Sequence, residues 1–164
     1  MTSSILVVSS LPADRSPILA VAQRTGVFTP EELDTVAELF DGYQHDPVQS
    51  GYNFLSARDP ATAVLLGFAC WGPTSLSKGA ADLYWIATDP AAQGRGVAAT
   101  LFHAVEDAVR AAGRWLIVIW TSSRPEYAAA RAFYQRVGAD LSLQLADFYD
   151  RGDDLCVFVR RLSP

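Results

Sequence analysis

The chain has 164 residues, of which 50% are hydrophobic and 19% charged, with a formal net charge of −5 at pH 7. These values are typical of one folded domain with a hydrophobic core and exclude a disordered or fibrous chain. The acidic balance argues against nucleic acid as the main partner and suits a cationic small substrate, although many acidic proteins share it.

Neither a membrane span nor a secretory signal is indicated. The longest uncharged stretch, residues 61–77, contains glycines and Pro73 and falls short of the roughly 18 apolar residues that a span needs. The opening MTSSILVVSSLPADRS lacks the basic segment of a signal peptide. Cys70 and Cys156 lie in apolar, strand-like runs and are expected to be buried thiols, so a cytoplasmic location is predicted.

Alternation and runs of β-branched and aromatic residues indicate the strands. They cover residues 4–9, 52–58, 62–71, 82–88, 115–120, 141–145 and 155–160. The first is expected at a sheet edge, and hairpins are expected at Asp59-Pro60 and around DFYDRGDD. WLIVIW (115–120) has no polar residue, so it is predicted to be a fully buried central strand.

Four helices are indicated by apolar residues at helical spacing. They cover residues 17–25, 29–43, 97–112 and 123–137. Thr29 is the predicted cap of the second helix, with Pro30 in its first turn. The third places Glu106 on its polar face, and Ser123 with Glu126 is predicted to form a capping box for the fourth.

The segment QGRGVA (93–98) places two glycines where the third helix begins. Amide groups at a helix start carry partial positive charge and bind phosphate well. Gly94 and Gly96 let a ligand approach the backbone closely, and Arg95 adds a formal charge. The pattern Q-x-x-G-x-A is weak by itself, so its context must decide.

The same glycines also satisfy G-x-G-x-x-A, the fingerprint of dinucleotide-binding Rossmann domains. That interpretation needs a strand running almost directly into the first glycine and an acidic residue at the end of the next strand. Here TDPAAQ (88–93) intervenes, and WLIVIWTSS (115–123) ends without an acid. Nicotinamide binding is therefore disfavoured.

Residues 82–140 resemble the GNAT superfamily of acetyl-CoA-dependent N-acetyltransferases. They contain, in order, the strand DLYWIATDP, the loop and helix QGRGVAATLFHAVEDAV, the strand WLIVIWTSS and the helix AARAFYQRVGA. The last segment matches A-x-x-F-Y-x-x-x-G-F at Ala130, Phe133, Tyr134 and Gly138, with Asp140 just beyond the usual aromatic site. Two motifs in this order are far more specific than either alone.

The resemblance implies a GNAT fold of the α/β (α+β) class in a single domain spanning residues 1–164. Its central sheet is mixed and mostly antiparallel, with six or seven strands flanked by about four helices. GVFTPEELDTVAELFDGY and DFYDRGDDLCVFVRRL also resemble a bacterial GNAT subgroup whose acceptors are not apparent from sequence. Because GNAT proteins often pair, a homodimer is one expectation, and neither nucleic acid nor membrane is expected as a partner.

The resemblance further implies where acetyl-CoA binds. The strand 82–88 and the following strand splay apart around the cofactor, so that backbone near Ala87 pairs with the pantetheine and polarises the thioester carbonyl. The cofactor contacts implied are Ile86, Ala87, Thr88, Gln93, Gly94, Arg95, Gly96, Val97, Ala98, Ala99, Ser122, Ser123, Arg131 and Tyr134. The serine pair is a departure, since many relatives carry an asparagine there.

Acetyl transfer needs a neutral amine and a protonated leaving thiolate. Tyr134 matches the family tyrosine that donates to the thiolate, with a plain core tyrosine as the alternative. Asp82 lies where some relatives place a catalytic glutamate and is the possible general base, with a strand-edge aspartate facing water as the alternative. Asp147 is the runner-up base, and Trp120 stands where relatives often have a polar residue.

The expected reaction is direct attack of a primary amine on the thioester in a ternary complex. Tyr84, Trp120 and Tyr149 are the candidate acceptor-binding residues, and a polyamine, an amino acid, an antibiotic or a protein terminus remains open as acceptor. A non-catalytic acyl-CoA-binding module and, less favoured, an NAD-binding oxidoreductase are the alternatives. Neither His45 nor His103 has a companion at metal-ligand spacing, so no metal is expected.

Overall fold

The computed structural model describes residues 4–163 of the chain. This part contains seven strands and five α-helices. The strands are β1 (Leu6–Ser9), β2 (Asn53–Arg58), β3 (Leu65–Pro73), β4 (Ala80–Thr88), β5 (Leu116–Ser122), β6 (Asp140–Asp150) and β7 (Asp153–Arg161). The helices are α1 (Arg15–Thr25), α2 (Pro30–His45), α3 (Pro47–Ser50), α4 (Val97–Ala111) and α5 (Ala128–Arg136). Only the short α3 has no counterpart among the predicted helices.

The strands follow one another in the order β1-β2-β3-β4-β5-β7-β6. β4 and β5 are parallel, whereas the pairs β1–β2, β2–β3, β5–β7 and β6–β7 are antiparallel. This confirms the mixed, mostly antiparallel sheet and the edge position of the N-terminal strand. Both predicted hairpins, β2–β3 and β6–β7, are present.

The chain divides into two compact units. The first comprises the chain up to Gly72 and Trp85–Val105, and the second comprises Pro73–Tyr84 and the chain from Glu106 onwards. β4 and α4 each contribute one part to each unit. The expectation of a single domain remains a prediction.

The core of the first unit lies between helices α1 and α2 and strands β2 and β3. Its fully buried members include Ile18, Val21, Val36, Phe40, Phe54 and Phe68. The rings of Phe40 and Phe54 meet edge to face at 5.1 Å. The predicted cap of α2 is confirmed, and it is a complete capping box, because Thr29 Oγ1 accepts from Glu32 N at 3.2 Å and Glu32 Oε2 accepts from Thr29 N at 2.8 Å.

In the second unit, β5 is buried on one face only, so the prediction of a fully buried strand was wrong. Ile117 and Ile119 are buried, whereas Trp120 is 56% exposed and Trp115, just before the strand, is 53% exposed. Successive side chains of a strand point to opposite faces. An apolar run without polar markers therefore did not reveal which face is covered.

Two further local predictions were wrong, because in each case a polar side chain forms its hydrogen bond with a residue of β7 that is distant in sequence. Glu106 is not on an exposed face: it is 4% exposed and accepts a hydrogen bond from Arg160 Nε at 2.6 Å. Ser123 does not cap a helix, since α5 begins only at Ala128, after a 3₁₀ turn. Its Oγ instead accepts from Asp154 N, at 2.8 Å, at the start of β7.

Cys70 and Cys156 are both buried and unbonded to each other, as expected. Burial raises the pKa of the Cys70 thiol well above its ordinary value. Among residues 4–163, no helix combines the length and apolar character that a membrane crossing requires.

Gly67 on β3 is expected to tolerate no side chain. A Cβ there would lie 2.5 Å from the Ala87 carbonyl oxygen and 2.9 Å from Val97 Cγ1. We expect Gly67→Ala to lower the free energy of unfolding by about 1–3 kcal/mol, since overpacking shifts the backbone. Urea unfolding at 25 °C measures this change.

Gly42→Ala is the matched control, because a Cβ in α2 would meet only Ser50 Cβ, at an ordinary 3.5 Å. Alanine is the better helix former, so this variant should gain about 0.5–1 kcal/mol. Equal effects of the two substitutions would contradict the close packing around Gly67.

Candidate functional site

The loop from β4 to α4, in the first unit, is anchored at Asp89. Its Oδ1 accepts from Ala91 N at 3.0 Å, and its Oδ2 accepts from Arg24, whose Nε lies at 3.1 Å. The hydrogen bond from Arg24 holds the pKa of the Asp89 carboxyl below its usual range. The loop therefore leaves β4 from a fixed point.

Gly94 and Gly96 both have left-handed backbone, with φ of +77° and +79°. A Cβ at either position would meet nothing within 4 Å. The glycines are thus favoured by the backbone conformation, which side-chain-bearing residues adopt reluctantly, and the space in front of them is open. Only the open space for a ligand was predicted from the sequence, and the left-handed backbone was not.

The first turn of α4 presents its amides where a ligand can reach them. Thr100 N donates to Gly96 O at 3.0 Å, which closes the first turn. The amides of Val97, Ala98 and Ala99 precede that bond and have no acceptor within the helix. Together with the positive end of the helix dipole, they form a candidate anion site.

Arg95 contributes less charge to this loop than its sequence position suggested. Its Nη2 lies 2.9 Å from Asp59 Oδ2, and this bond lowers the pKa of the Asp59 carboxyl. The guanidinium is thereby held by a carboxylate within the same unit. Its expected contact with a cofactor remains a prediction.

The end of β4, Ile86 to Thr88, is tightly held. Ala87 is buried against Gly67, and Asp89 N donates to Leu66 O at 2.8 Å. Thr88 Oγ1 is buried and makes no hydrogen bond within residues 4–163. A buried hydroxyl in need of a partner is compatible with a polar ligand there, as the resemblance implies.

In the second unit, a cavity of about 310 Å³ opens where the β4–β5 pairing has brought two aromatic residues side by side. β4 and β5 pair in parallel from Ala80 opposite Leu116 to Leu83 opposite Ile119. The next residue on each strand, Tyr84 and Trp120, lines the cavity together with Asp82 and Leu83. Three residues singled out in the sequence, Asp82, Tyr84 and Trp120, are thus brought together.

Asp82 is half-buried in this cavity. Burial raises the pKa of its carboxyl, and the neighbouring Thr74 side chain lowers it by less. A carboxylate with a raised pKa is a stronger proton acceptor, which is what a general base requires.

Tyr134 lies in the core of the second unit. Its ring is buried against Phe133 at 5.6 Å and Phe158 at 5.7 Å. Burial raises the pKa of its phenol well above the ordinary value, so the hydroxyl stays protonated at neutral pH. The ring is therefore a core aromatic, and its hydroxyl also retains the proton that an acid needs.

The polar residues at the end of β5 and just after it are already engaged within the protein. Ser122 Oγ donates to Asp153 and accepts from Arg124 N at 3.0 Å. Arg131 Nη1 donates to the carbonyl oxygens of Ser122 and Arg124 at 2.6 and 2.9 Å. With Ser123 bound to Asp154, these contacts show what orders the β5–α5 connection, and the expected cofactor contacts of these residues remain predictions.

Asp147, the alternative base, shapes the β6–β7 hairpin. It has φ +54°, its Oδ1 accepts from Gly152 N at 2.6 Å, and its own amide donates to Asp154 Oδ1 at 3.1 Å. Hydrogen bonds lower the pKa of the Asp154 carboxyl, and the bond from the Gln144 side chain has the largest effect. The carboxylate of Asp147 therefore has a structural role, and it is not among the residues described as lining the cavity.

Phe148 is a residue of this site that was not predicted from the sequence. Its ring meets Trp120 edge to face at 5.9 Å and Tyr149 at 5.0 Å. The signal was present in DFYDRGDD, where two aromatic residues lie in an otherwise acidic hairpin. Phe148 links Tyr149, a candidate acceptor-binding residue, to Trp120 in the cavity wall.

Within the described part of the chain, no group of three or more His, Cys, Asp or Glu residues is arranged to hold a metal ion.

Comparison with known proteins agrees with this arrangement. A family model for the acetyltransferase (GNAT) domain matches residues 50–138. No curated protein gives a significant match. A GNAT-family protein from Desulfovibrio desulfuricans is 35% identical, with a TM-score of 0.93 over 98% of this chain and 100% of that one.

More distant structures share the fold. An acetyltransferase from Salmonella typhimurium, yncA, solved with its cofactor acetyl-CoA, has a TM-score of 0.76 and 19% identity over 99% of this chain and 96% of its own. The ribosomal-protein-S18-alanine N-acetyltransferase of Escherichia coli has a TM-score of 0.75 and 19% identity over 98% and 96%. At this identity the likeness concerns the fold alone.

The fold, the glycine loop before α4 and the family match together place the protein among acyl-transferring enzymes. The chain belongs to the GNAT acetyltransferase family.

Asp82→Asn should stabilise the protein at pH 7. Because the folded pKa of Asp82 is raised, ionisation of this carboxyl opposes folding as pH rises through the unfolded and then the folded pKa. The amide removes that opposition. The gain in melting temperature should therefore shrink as pH falls towards the ordinary aspartate pKa of about 3.9.

Asp41→Asn is the opposite-sign control. The hydrogen bond from Arg15, at 2.7 Å, lowers the pKa of Asp41, so its ionised form supports folding at neutral pH. Thermal unfolding from pH 4 to 8 should show a loss for this variant at pH 7. A stability loss at pH 7 for Asp82→Asn would contradict the raised pKa.

Proposed function

We propose that this protein transfers an acetyl group from acetyl-CoA to a primary amine by direct attack in a ternary complex. The observation that carries the proposal is the opening of α4, where two left-handed glycines leave open space before amides without helical acceptors. A pyrophosphate is the kind of ligand that such a loop accommodates.

We assign the cofactor contacts to the residues that the family resemblance implies. The amides from Gly94 to Ala99 hold the pyrophosphate, with Gln93 beside them, and the backbone of Ile86, Ala87 and Thr88 pairs with the pantetheine arm. The free hydroxyl of Thr88 supports a polar contact at that strand end. Contacts from Ser122, Ser123, Arg131 and Tyr134 complete the proposed set.

Bound acetyl-CoA supplies a thioester, whose acyl carbon accepts the amine and whose sulfur leaves as a thiolate. Asp82 takes the proton that the amine loses, a role supported by its place in the cavity and its raised pKa. Tyr134 Oη gives its proton to the departing sulfur, a role supported by a phenol that stays protonated. Asp147 is the weaker candidate base, since its carboxylate already holds a turn.

The two buried, unpaired cysteines support a reducing compartment, and we propose a cytoplasmic location in a bacterium. A homodimer remains a prediction.

Acetyl-CoA should raise the melting temperature and NAD should not. A ligand at a hundred times its dissociation constant stabilises by about 2.7 kcal/mol, a readily measured shift. Gly96→Ala should weaken acetyl-CoA binding by about tenfold, or about 1.4 kcal/mol, because the Cβ enters the proposed pyrophosphate space.

Gly152→Ala is the matched control for this binding experiment. Gly152 has φ +78°, a Cβ there would also meet nothing within 4 Å, and it lies in the turn of the β6–β7 hairpin. The backbone strain is therefore similar, whereas acetyl-CoA affinity should be unchanged. A larger shift with NAD than with acetyl-CoA would point to the oxidoreductase alternative.

Tyr134→Phe should lower kcat by about 10²–10⁴-fold, the usual effect of removing a general acid, while acetyl-CoA affinity stays the same. Release of free thiol with an accepted amine measures kcat, and the thermal shift measures binding. Tyr43→Phe removes a phenol hydroxyl that donates to Ser10 O, at 3.2 Å, and should leave kcat unchanged.

An unchanged kcat in Tyr134→Phe would assign Tyr134 to the core alone. Binding of acetyl-CoA without turnover of any amine would favour the non-catalytic module.

A further inference from the structure

The acceptor cavity has an apolar wall and one described acidic group. Of its four described lining residues, Leu83, Tyr84 and Trp120 are apolar or aromatic, and Asp82 is the carboxylate. Its volume of about 310 Å³ is at the lower end of the range for small-molecule sites. Such walls discriminate mainly by the apolar body of a ligand, with the polar group fixing its orientation.

The aromatic wall extends beyond the cavity along the hairpin. Trp120 contacts Phe148, and Phe148 contacts Tyr149, both edge to face. Together with Tyr84, all of these side chains are exposed. A contiguous set of exposed aromatic residues on one protein is typical of a binding surface, because it leaves apolar area in water.

The neighbouring aspartates of the hairpin are not among the described residues that line the cavity. They already accept hydrogen bonds from protein groups: Asp147 from Gly152 N, Asp150 from Arg151 N, Asp153 from Ser122 Oγ, and Asp154 from Gln144 Nε2 and Asp147 N. Asp82 is therefore the carboxylate that faces the cavity ready for one amine.

A ligand with several ammonium groups would place those beyond Asp82 against Leu83 and the rings, where no described lining residue carries a second negative charge. Burying an unpaired polar group costs a few kcal/mol, whereas an aromatic face attracts one ammonium by the cation–π interaction. This comparison disfavours polyamines and aminoglycosides and favours a ligand with one amine.

We propose that the acceptor is a monoamine whose primary amino group lies one or two carbons from an aromatic or similarly large apolar group. The amine faces Asp82, and the apolar group packs on Trp120 with Phe148 behind it. This inference rests on the proposed acetyltransferase function. A free arylalkylamine and a peptide that begins with a large apolar residue share this chemistry.

The test is a panel of amines assayed by thiol release with acetyl-CoA: 2-phenylethylamine, n-butylamine, spermidine, kanamycin and the peptide Phe-Gly-Gly. We expect kcat/KM for 2-phenylethylamine or Phe-Gly-Gly to exceed that for each of the other three by at least tenfold. If 2-phenylethylamine has the higher kcat/KM of these two, the acceptor is a small molecule; if Phe-Gly-Gly has the higher value, it is a peptide. Preference for spermidine or kanamycin would overturn the proposal.

Variants at Trp120 test whether the preference for an aromatic acceptor depends on the aromatic wall of the cavity. Trp120→Ala should lower kcat/KM for the aromatic acceptor at least tenfold, mainly through KM, and change that for n-butylamine little. Trp120→Phe keeps a ring and should retain most of the preference. Trp115→Ala is the control, because Trp115 is similarly exposed and lies just before the same strand. Equal losses for all amines would contradict a specificity role.

Two binding measurements separate failure of this inference from failure of the proposed function. A thermal shift with acetyl-CoA reports on the enzyme assignment, independently of the acceptor. Calorimetry of 2-phenylethylamine and Phe-Gly-Gly reports on the cavity even without turnover, and binding should be lost in Trp120→Ala. If acetyl-CoA binds and neither aromatic amine is bound or acetylated, the acceptor proposal is wrong while the cofactor assignment stands.

Discussion

The absence of a side chain at Gly67 is the constraint on which the candidate cofactor loop depends. With only a hydrogen at this position, the Ala87 carbonyl and the Val97 and Leu101 side chains pack directly on β3. The end of β4 and the start of α4 are thereby held against the same strand. Asp89, bonded to Arg24 and to the Leu66 carbonyl, then starts the loop between them from a fixed point. Preorganised amides bind an anion better because the loop need not be ordered when the ligand arrives.

In the second unit, a partly buried ion pair joins strand β7 to helix α4. Arg160 on β7 bonds Glu106 on α4, and the same guanidinium lies 2.9 Å from where a Cβ of Gly138 would stand. Gly138 follows the helix that carries Tyr134, so the ion pair and the end of that helix are packed together. Glu106 is 4% exposed, so removing the Arg160 guanidinium would take a charged partner from a buried carboxylate, which is destabilising.

Much of this arrangement was predictable from sequence, where the signal is local. The cap at Thr29, the helix from Val97 and both hairpins rest on residues a few positions apart, and each was confirmed. Two of the wrong predictions involve partners far apart in the chain, Glu106 with Arg160 and Ser123 with Asp154, and the third concerns which face of β5 is covered. The cavity also depends on residues far apart in the chain. Asp82 and Trp120 were each predicted separately as site residues, whereas Phe148 is recognised only from its ring contact with Trp120.

Burial raises the pKa of both proposed proton-transfer groups, with different consequences for their proposed tasks. Desolvation raises the pKa of Asp82, which strengthens it as a base for an amine that is mostly protonated in water. Desolvation also raises the pKa of Tyr134, which by itself makes the phenol a weaker acid than in water. In water a phenol, with a pKa of about 10, is already a weaker acid than a thiol, with a pKa of about 8.5. The proposed acid role of Tyr134 therefore requires that the pKa of the leaving sulfur be raised in the site by more than that of the phenol.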